Sequence, residues 1–246
     1  MTDPTAFVLA NTIVSHAPLV PEIALHMASE VVPIWRATED WLAARNVDPP
    51  YWAFAWPGGQ ALARHILDHP ASVVGKRVLD FAAGGGIAAI AAARAGAACV
   101  EATDIDPIAG AAIALNAGAN GVTVATQTAD VVGTPCRWDL ILCGDVCYEA
   151  PMTEHILPWL RAMAAKAEVW LSDPGRAYLP EDGRTAFANY TVPTTLELEC
   201  RTVREVTLYR LSPLPLPLFV GLGREERTKA CSRTLVPGVA EPLRRG

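Results

Sequence analysis

An α/β doubly wound sheet, mostly parallel and with an antiparallel finish, is predicted for this 246-residue chain by three observations. Short apolar strand runs alternate with helix-length stretches from Lys76 onward. A glycine turn, within VLDFAAGGGIAAI (78–90), joins the first of these strands to its helix. The run DLILC (139–143) is apolar almost throughout, as in a central parallel strand covered on both faces.

Residues 1–48 read as an N-terminal helical extension. Apolar residues recur at mixed spacing over 23–32, and Trp35, Thr38, Trp41 and Leu42 gather near one face of 34–44, with Trp35 and Trp41 expected in the core. In PPYWAFAWPGGQ (49–60) the alternation of Trp52, Phe54 and Trp56 predicts an extended segment with three aromatics on one side. The Pro-Gly-Gly after it ends the strand pattern, and 61–69 follows as a short helix stopped by Pro70. Strands are predicted at 77–81, 98–103, 122–126, 139–143 and 168–172. Helices are predicted at 87–95, at 108–120 with Asn-Gly as its stop, and at 153–164 despite Pro158. The finish is two β segments, 194–200 and 204–211, joined by a short turn. The main domain therefore spans 49–212, and 213–246, opening PLPLPLF, reads as a Pro-rich flexible tail.

Composition narrows the function classes. Hydrophobic residues make up 51% and charged residues 19%, which excludes general disorder. A net charge of −6 speaks against a nucleic-acid-coating protein. No run is apolar enough for a membrane span, and the first basic residue is Arg36, so neither a secretory nor a mitochondrial signal is read. A cytoplasmic protein without membrane or nucleic-acid partners is expected. Cys99, Cys136, Cys143, Cys147, Cys200 and Cys231 form no CxxC pair and are read as reduced, buried thiols.

The glycine turn suits a nucleotide, because glycine admits close backbone approach and the helix start presents free N–H groups. Gly84, Gly86 and Ala89 satisfy the dinucleotide pattern, with Asp104 at the end of the next strand for a ribose. An NAD-dependent oxidoreductase is thus one reading. The same glycines also fall in the D-x-G-x-G-x-G pattern for S-adenosylmethionine (SAM), which here reads Asp80, Ala82, Gly84, Gly86. Asp80 favours SAM: a carboxylate there suits a cationic amino-acid end and opposes a pyrophosphate. Asp104 can take both ribose hydroxyls, Ile105 can cover the adenine face, and Asp130 can accept from the adenine amino group or serve as a solvated loop acid.

WAFAWPGGQALARHIL, VLDFAAGGG, ATDIDP, LNAGANG, DLILCGDVCYE and DPGRAYLP together resemble the seven-β-strand, class I SAM-dependent methyltransferases. Within them they are similar to the lysine methyltransferases of the electron-transfer flavoprotein β subunit, over residues 49–211. The resemblance implies a Rossmann-like seven-stranded sheet and a protein-lysine N-methyltransferase whose protein substrate is that β subunit. A ribosomal-protein or small-molecule N-methyltransferase of the same fold is the alternative. It further implies that Trp56, Asp80, Gly84, Gly86, Asp104 and Asp130 hold the cofactor, and that Asp145 and Tyr148 of the Asp-x-x-Tyr block line the acceptor pocket. Ala82 stands where the family has its first glycine, which fits if its φ stays negative.

A lysine of pKa ~10.4 is neutral in about one molecule in a few thousand at pH 7. An aromatic, partly dry pocket (Tyr148 and the Trp52/Phe54/Trp56 stripe) favours the neutral amine, while Asp145 can orient it at a cost in deprotonation. A structural or cofactor-facing role for Asp145 is the competing reading. Glu149 can attract a basic substrate or cap the next helix, and Arg176 is expected to pair locally with Asp173. No metal is expected: His65 and His69 are read as a solvated helix face, and Cys143 and Cys147 as packing residues rather than nucleophiles.

Overall fold

The computed structural model describes residues 3–29 and 49–213. Their helices are α1 (Pro4–Asn11), α2 (Pro57–Asp68), α3 (Ile87–Arg94), α4 (Pro107–Ala119), α5 (Ala150–Ala164) and α6 (Leu196–Glu199), with short 3-10 turns at Tyr51–Ala53 and Pro70–Ser72. The strands are β1 (Ile13–Ala17), β2 (Val20–Met27), β3 (Arg77–Phe81), β4 (Cys99–Thr103), β5 (Ala125–Gln127), β6 (Leu140–Gly144), β7 (Glu168–Asp173), β8 (Arg184–Pro193) and β9 (Val203–Leu211).

Seven strands form one sheet in the order β5-β4-β3-β6-β7-β9-β8. The first five are parallel, and β9 pairs antiparallel with both β7 and β8. This is the doubly wound, mostly parallel architecture that the sequence predicts. Alternation along the central strands fills both faces. Val78, Leu140, Leu142 and Trp170 join a cluster with Leu62 and Ile66 of α2 and Ile87 and Ile90 of α3. Leu79, Ile141, Cys143, Val169 and Leu171 join a second cluster with Ile156, Trp159 and Leu160 of α5. The strand order reverses between β3 and β6, which opens a crevice at the carboxyl ends of the sheet.

The N-terminal extension contains the helix α1, whose Asp3 side chain accepts from Thr5 N and Ala6 N at its start. The chain then forms a β-hairpin, so Ile23–Met27 is strand rather than helix. Long-range hydrogen bonds override the mixed local pattern. Ala24 N donates to Asn120 Oδ1 (3.0 Å) and His26 N to Asn116 Oδ1 (2.7 Å), docking the hairpin on α4. The expected helix at 34–44, with Trp35 and Trp41, and the tail from 214 lie outside the described residues, as does Cys231.

Other readings are corrected. Residues 51–53 coil into a 3-10 turn, because Pro50 O accepts Ala53 N (3.1 Å). The turn drives Trp52 into the core against Phe7 (ring centroids 6.4 Å apart), out of the expected stripe. Helix α2 starts at Pro57, four residues before its expected start, with Pro at its first position. The strand expected at 122–126 is shorter and lies at 125–127. Residues 194–200 are not strand: the partner of β9 is β8, an edge strand whose partial exposure blurs the two-residue alternation. Cys143 and Cys147 are buried and Cys136 half-buried, but Cys99 and Cys200 are exposed, at the outer start of β4 and after α6. Among the described residues no helix is long and apolar enough to cross a membrane.

The antiparallel finish is tied to α5 by a buried cation. Arg161, 6% exposed, donates to the carbonyls of Asp182 (2.6 Å), Gly183 (3.4 Å) and Ser212 (3.0 Å). Arg161→Ala leaves these acceptors without their donor and is expected to cost ~2–3 kcal/mol in denaturant unfolding.

Candidate active site

A cavity of about 840 Å3 occupies the crevice, lined by the carboxyl ends of β3, β4 and β6, by Tyr51–Trp56 and by the start of α5. The β3–α3 turn makes one wall. Gly84 (φ +53°) and Gly86 (φ +77°) both adopt the left-handed backbone that glycine tolerates. Ala82 is also left-handed, at φ +51°, contrary to the expected negative φ. The turn is held from both sides: Ala83 N donates to Thr103 O (3.0 Å) and Gly86 N to Ala83 O (2.8 Å). The strain of a Cβ there is ~1–2 kcal/mol.

Asp80, the last residue but one of β3, is 4% exposed, and its Oδ2 accepts the N–H of Ala89 (2.8 Å) at the start of α3. Burial, the largest cause, and the like charge of Asp104 push its carboxyl up to about 7. Asp104 Oδ2 accepts Gly84 N (2.9 Å) and its Oδ1 accepts Asp106 N (3.1 Å), so this side chain also fastens the glycine turn to the end of β4. Ile105 is 63% exposed and lines the cavity. Asp130 lines it too, with Oδ1 accepting Val132 N (2.9 Å) and Oδ2 paired with His155 Nε2 (2.7 Å).

On the other side, the Pro-Gly-Gly that the sequence offered as a strand stop is where α2 meets the sheet. An added Cβ on Gly144 would lie 2.9 Å from Gly59 N, and one on Gly58 would lie 2.5 Å from Asp145 Oδ2 and 2.6 Å from Ser172 O. This approach lets Gly58 N donate to Asp145 Oδ2 (2.5 Å). Asp145 has a left-handed backbone, φ +57°, and is 8% exposed. Its Oδ1 accepts from Arg176 Nε (3.2 Å) and Nη2 (2.7 Å). Burial raises the Asp145 carboxyl to about 6 against the pull of Arg176.

Arg176 therefore does not form the expected guanidinium pair with Asp173. Asp173 Oδ1 is taken by the N–H groups of Gly175 (2.7 Å) and Arg176 (2.6 Å), and the guanidinium reaches Asp145 and Glu199 instead.

Tyr148 is 39% exposed and its ring packs on Tyr51, 5.5 Å between centroids. Trp56 stands edge-on to Tyr51 (5.8 Å) and donates Nε1–H to Tyr51 O (2.8 Å). Glu149 occupies the N-cap position of α5, yet its side chain makes no capping bond and is exposed at the cavity. The structure thus brings Trp56, Asp80, Gly84, Asp104, Ile105, Asp130, Asp145 and Tyr148 to one cavity. Gly86 stands behind the turn against Ile113 of α4.

Sequence reasoning missed Tyr51, Gly58, Asn116, His155 and Glu199. Asn116 is fully buried and donates to Gly85 O (2.8 Å) while accepting from the hairpin, a bridge with no local signal in the sequence. Gly58 had a signal, because paired glycines at a helix start mark a close backbone approach.

His69 is exposed, as expected of a solvated face, but His65 is half-buried. Their rings stack at 4.5 Å, and His65 packs on Trp170 and Phe187 with Nδ1 2.9 Å from Tyr190 OH. Burial lowers the pKa of His65 and raises the thiols of Cys143 and Cys147, the latter to about 12, which leaves both cysteines poor nucleophiles.

The donor set fits SAM. The volume is that of a nucleoside-sized ligand site. Asp80, buried and high in pKa, gains from a cationic group, and the only arginine or lysine among the lining residues, Arg176, is engaged by carboxylates.

Residues 64–144 match the family model for ribosomal protein L11 methyltransferase (PrmA). The electron transfer flavoprotein beta subunit lysine methyltransferase of Xenopus laevis is 41% identical over 181 residues, covering 72% of each chain. That of Danio rerio is 39% identical over 176 residues, covering 70% of this chain and 67% of its own. A crystal structure of a candidate RNA methyltransferase from Pyrococcus horikoshii superposes with a TM-score of 0.50 at 19% identity, covering 68% of this chain and 91% of that one, a likeness of fold.

Two single-methyl changes at this site are expected to act in opposite directions. Gly58→Ala puts a methyl against the carboxylate and main-chain N of Asp145 and the carbonyl of Ser172, and lowers stability by ~1–3 kcal/mol. Ala82→Gly relieves the left-handed strain and raises it by ~1 kcal/mol, both read from urea midpoints.

Proposed function

Because this chain belongs to the electron transfer flavoprotein β-subunit lysine methyltransferase family, we propose that it is a SAM-dependent protein-lysine N-methyltransferase acting on that subunit. The observation that carries the reading is the meeting of two residue sets in one cavity: the Asp80–Asp104 glycine turn, and Asp145 with the Tyr51–Tyr148 aromatic pair. Family membership also favours SAM over NAD for the glycine turn.

When bound, SAM supplies a sulfonium methyl group that passes in line to an acceptor nitrogen. The protein's task is then chiefly positioning. Asp80 binds the cationic amino-acid end, and Asp104, its carboxylate oriented by the N–H groups of Gly84 and Asp106, takes the ribose hydroxyls. Ile105 covers the adenine, and Asp130, steadied by His155, accepts from its amino group. Trp56 closes the cofactor side beside Tyr51. Tyr51 and Tyr148 wall the acceptor side, where a partly dry setting favours the neutral amine over the ammonium. Asp145 accepts a hydrogen bond from that amine and fixes its lone-pair direction. The amine sheds its first proton to solvent before transfer and a second after it.

A ribosomal-protein acceptor is the second reading, favoured by the L11 methyltransferase match. That match stops at residue 144, short of Asp145, Tyr148 and Arg176, so it bears on the cofactor half of the site. Incubating the full chain with labelled SAM and either purified β subunit or ribosomal protein L11 separates the two. Label on a β-subunit lysine is expected, and label confined to L11 overturns the proposal.

The Asp80 carboxyl makes cofactor binding depend on pH. At about 7 in the free protein, it must lose its proton to pair with a cation. Affinity for SAM is therefore expected to rise with pH, by up to about tenfold per unit below pH 7, and to level off above it. Asp80→Asn should bind weakly with no such slope in calorimetry. The same burial destabilises the free fold as pH rises from about 4 to about 7, since the unfolded carboxyl ionises first. The ligand-free Asp80→Asn variant is accordingly expected to have the higher Tm at pH 8.

A further inference from the structure

We propose that Arg176, clamped by Glu199, is a positioning residue that fixes the charge and direction of the Asp145 carboxylate in the cavity. Its consequence for turnover rests on the reading that Asp145 faces the acceptor amine.

The geometry is a fork held at both ends. Arg176 Nε and Nη2 donate to Asp145 Oδ1 (3.2 and 2.7 Å), while Nη1 and Nη2 donate to Glu199 Oε2 and Oε1 (3.2 and 2.6 Å). A single nitrogen, Nη2, thus serves both carboxylates. The side chain of Glu199 is only 3% exposed, and Arg204 Nε of β9 stands 3.4 Å from its Oε2. The Trp56 ring lies 5.8 Å from the guanidinium carbon. Glu199 sits on the four-residue α6, remote in sequence from the cavity and not among its lining residues. A buried carboxylate at that place has one evident effect on the site: it dictates where the Arg176 fork points.

Several groups set the charge of Asp145. Gly58 N–H of α2 and the Arg176 guanidinium favour the ionised form, while burial and Asp173 at the end of β7 oppose it. Cys147, in the loop between β6 and α5, is close enough to feel the charge but is held protonated. Glu199 of α6 enters through Arg176, sharing its charge and adding one of the same sign as Asp145. Removing the Glu199 charge therefore makes Asp145 more acidic. Weakening the fork makes Asp145 less acidic.

A structural role for the cluster predicts no such opposition of sign, so the test reads Asp145 directly. Carboxyl NMR of the full chain, labelled at aspartate, gives its titration midpoint, with the resonance identified by its loss in Asp145→Asn. Glu199→Gln removes the charge while its amide oxygen still accepts from the Arg176 fork, so the Arg176–Asp145 pair is kept, and the midpoint is expected to fall by about 0.5 unit or more. Arg176→Lys keeps a cation but not the fork, and is expected to raise it by about 0.5 unit or more. The proposal stands on that pair of opposite shifts. Midpoints that stay at the wild-type value, or that move in one direction together, overturn it. At saturating SAM, the lower break in kcat/KM for the β subunit should move with the midpoints. A wild-type protein that leaves the β subunit unlabelled would instead sink the functional reading, and the NMR pattern would still decide this inference.

Discussion

The site depends on how closely the first turn of α2 approaches the ends of β6 and β7. No side chain separates Gly58 and Gly59 from Gly144, and the space they leave is filled by the Gly58–Asp145 hydrogen bond. A helix start carries partial positive charge and unpaired N–H groups, so a buried carboxylate placed against it is stabilised without leaving the apolar setting. Asp145 still sits high for an aspartate, because burial outweighs both the helix and Arg176. The contact holds the Tyr51–Trp56 block, which leads into α2, over the carboxyl edge of the sheet. The aromatic wall and the acidic floor of the cavity are consequently one packing unit.

Both halves of the cavity use the same device. Asp80 meets the start of α3 through Ala89 N–H as Asp145 meets the start of α2 through Gly58 N–H. Each acid is buried and each is shifted upward by burial; Asp145 itself has a left-handed backbone, and so does Ala82, two residues after Asp80. They differ in their partners. Asp145 has an arginine built against it, whereas the charge acting on Asp80 among the described residues is the like charge of Asp104. In the proposed function that difference separates roles: Asp80 awaits a cation from the ligand, and Asp145 arrives with its own.

Much of the central sheet was legible, because short apolar runs at β3, β4, β6 and β7 alternate with helix-length stretches, and β6 is apolar almost throughout, as in a doubly covered strand. The glycine turn, Asp80 and Asp104 were legible for a local reason: strand, turn and helix start adjoin in sequence. What could not be read were contacts closed over long separations. The hairpin at 13–27 is specified by Asn116 of α4 and Asn120 just after it, and the Arg176 guanidinium finds Asp145 and Glu199 rather than the nearby Asp173. Trp52, Phe54 and Trp56 looked like one face of a strand, but a 3-10 turn over Tyr51–Ala53 separates the first from the other two, sending Trp52 to the core. Edge strand β8 escaped because its side chains are only partly buried, so no two-residue hydrophobic period marks it.

In the proposed function an adenosyl group lies along Asp104 and its sulfur faces Asp145 and Tyr148 within one cavity. A crystal structure of the full chain with S-adenosylhomocysteine tests it most directly. The account predicts the ribose at Asp104, the amino group at Asp80 and the sulfur open toward Tyr148. The nucleoside bound at another surface, or seated here with its sulfur turned away from Asp145 and Tyr148, would contradict it.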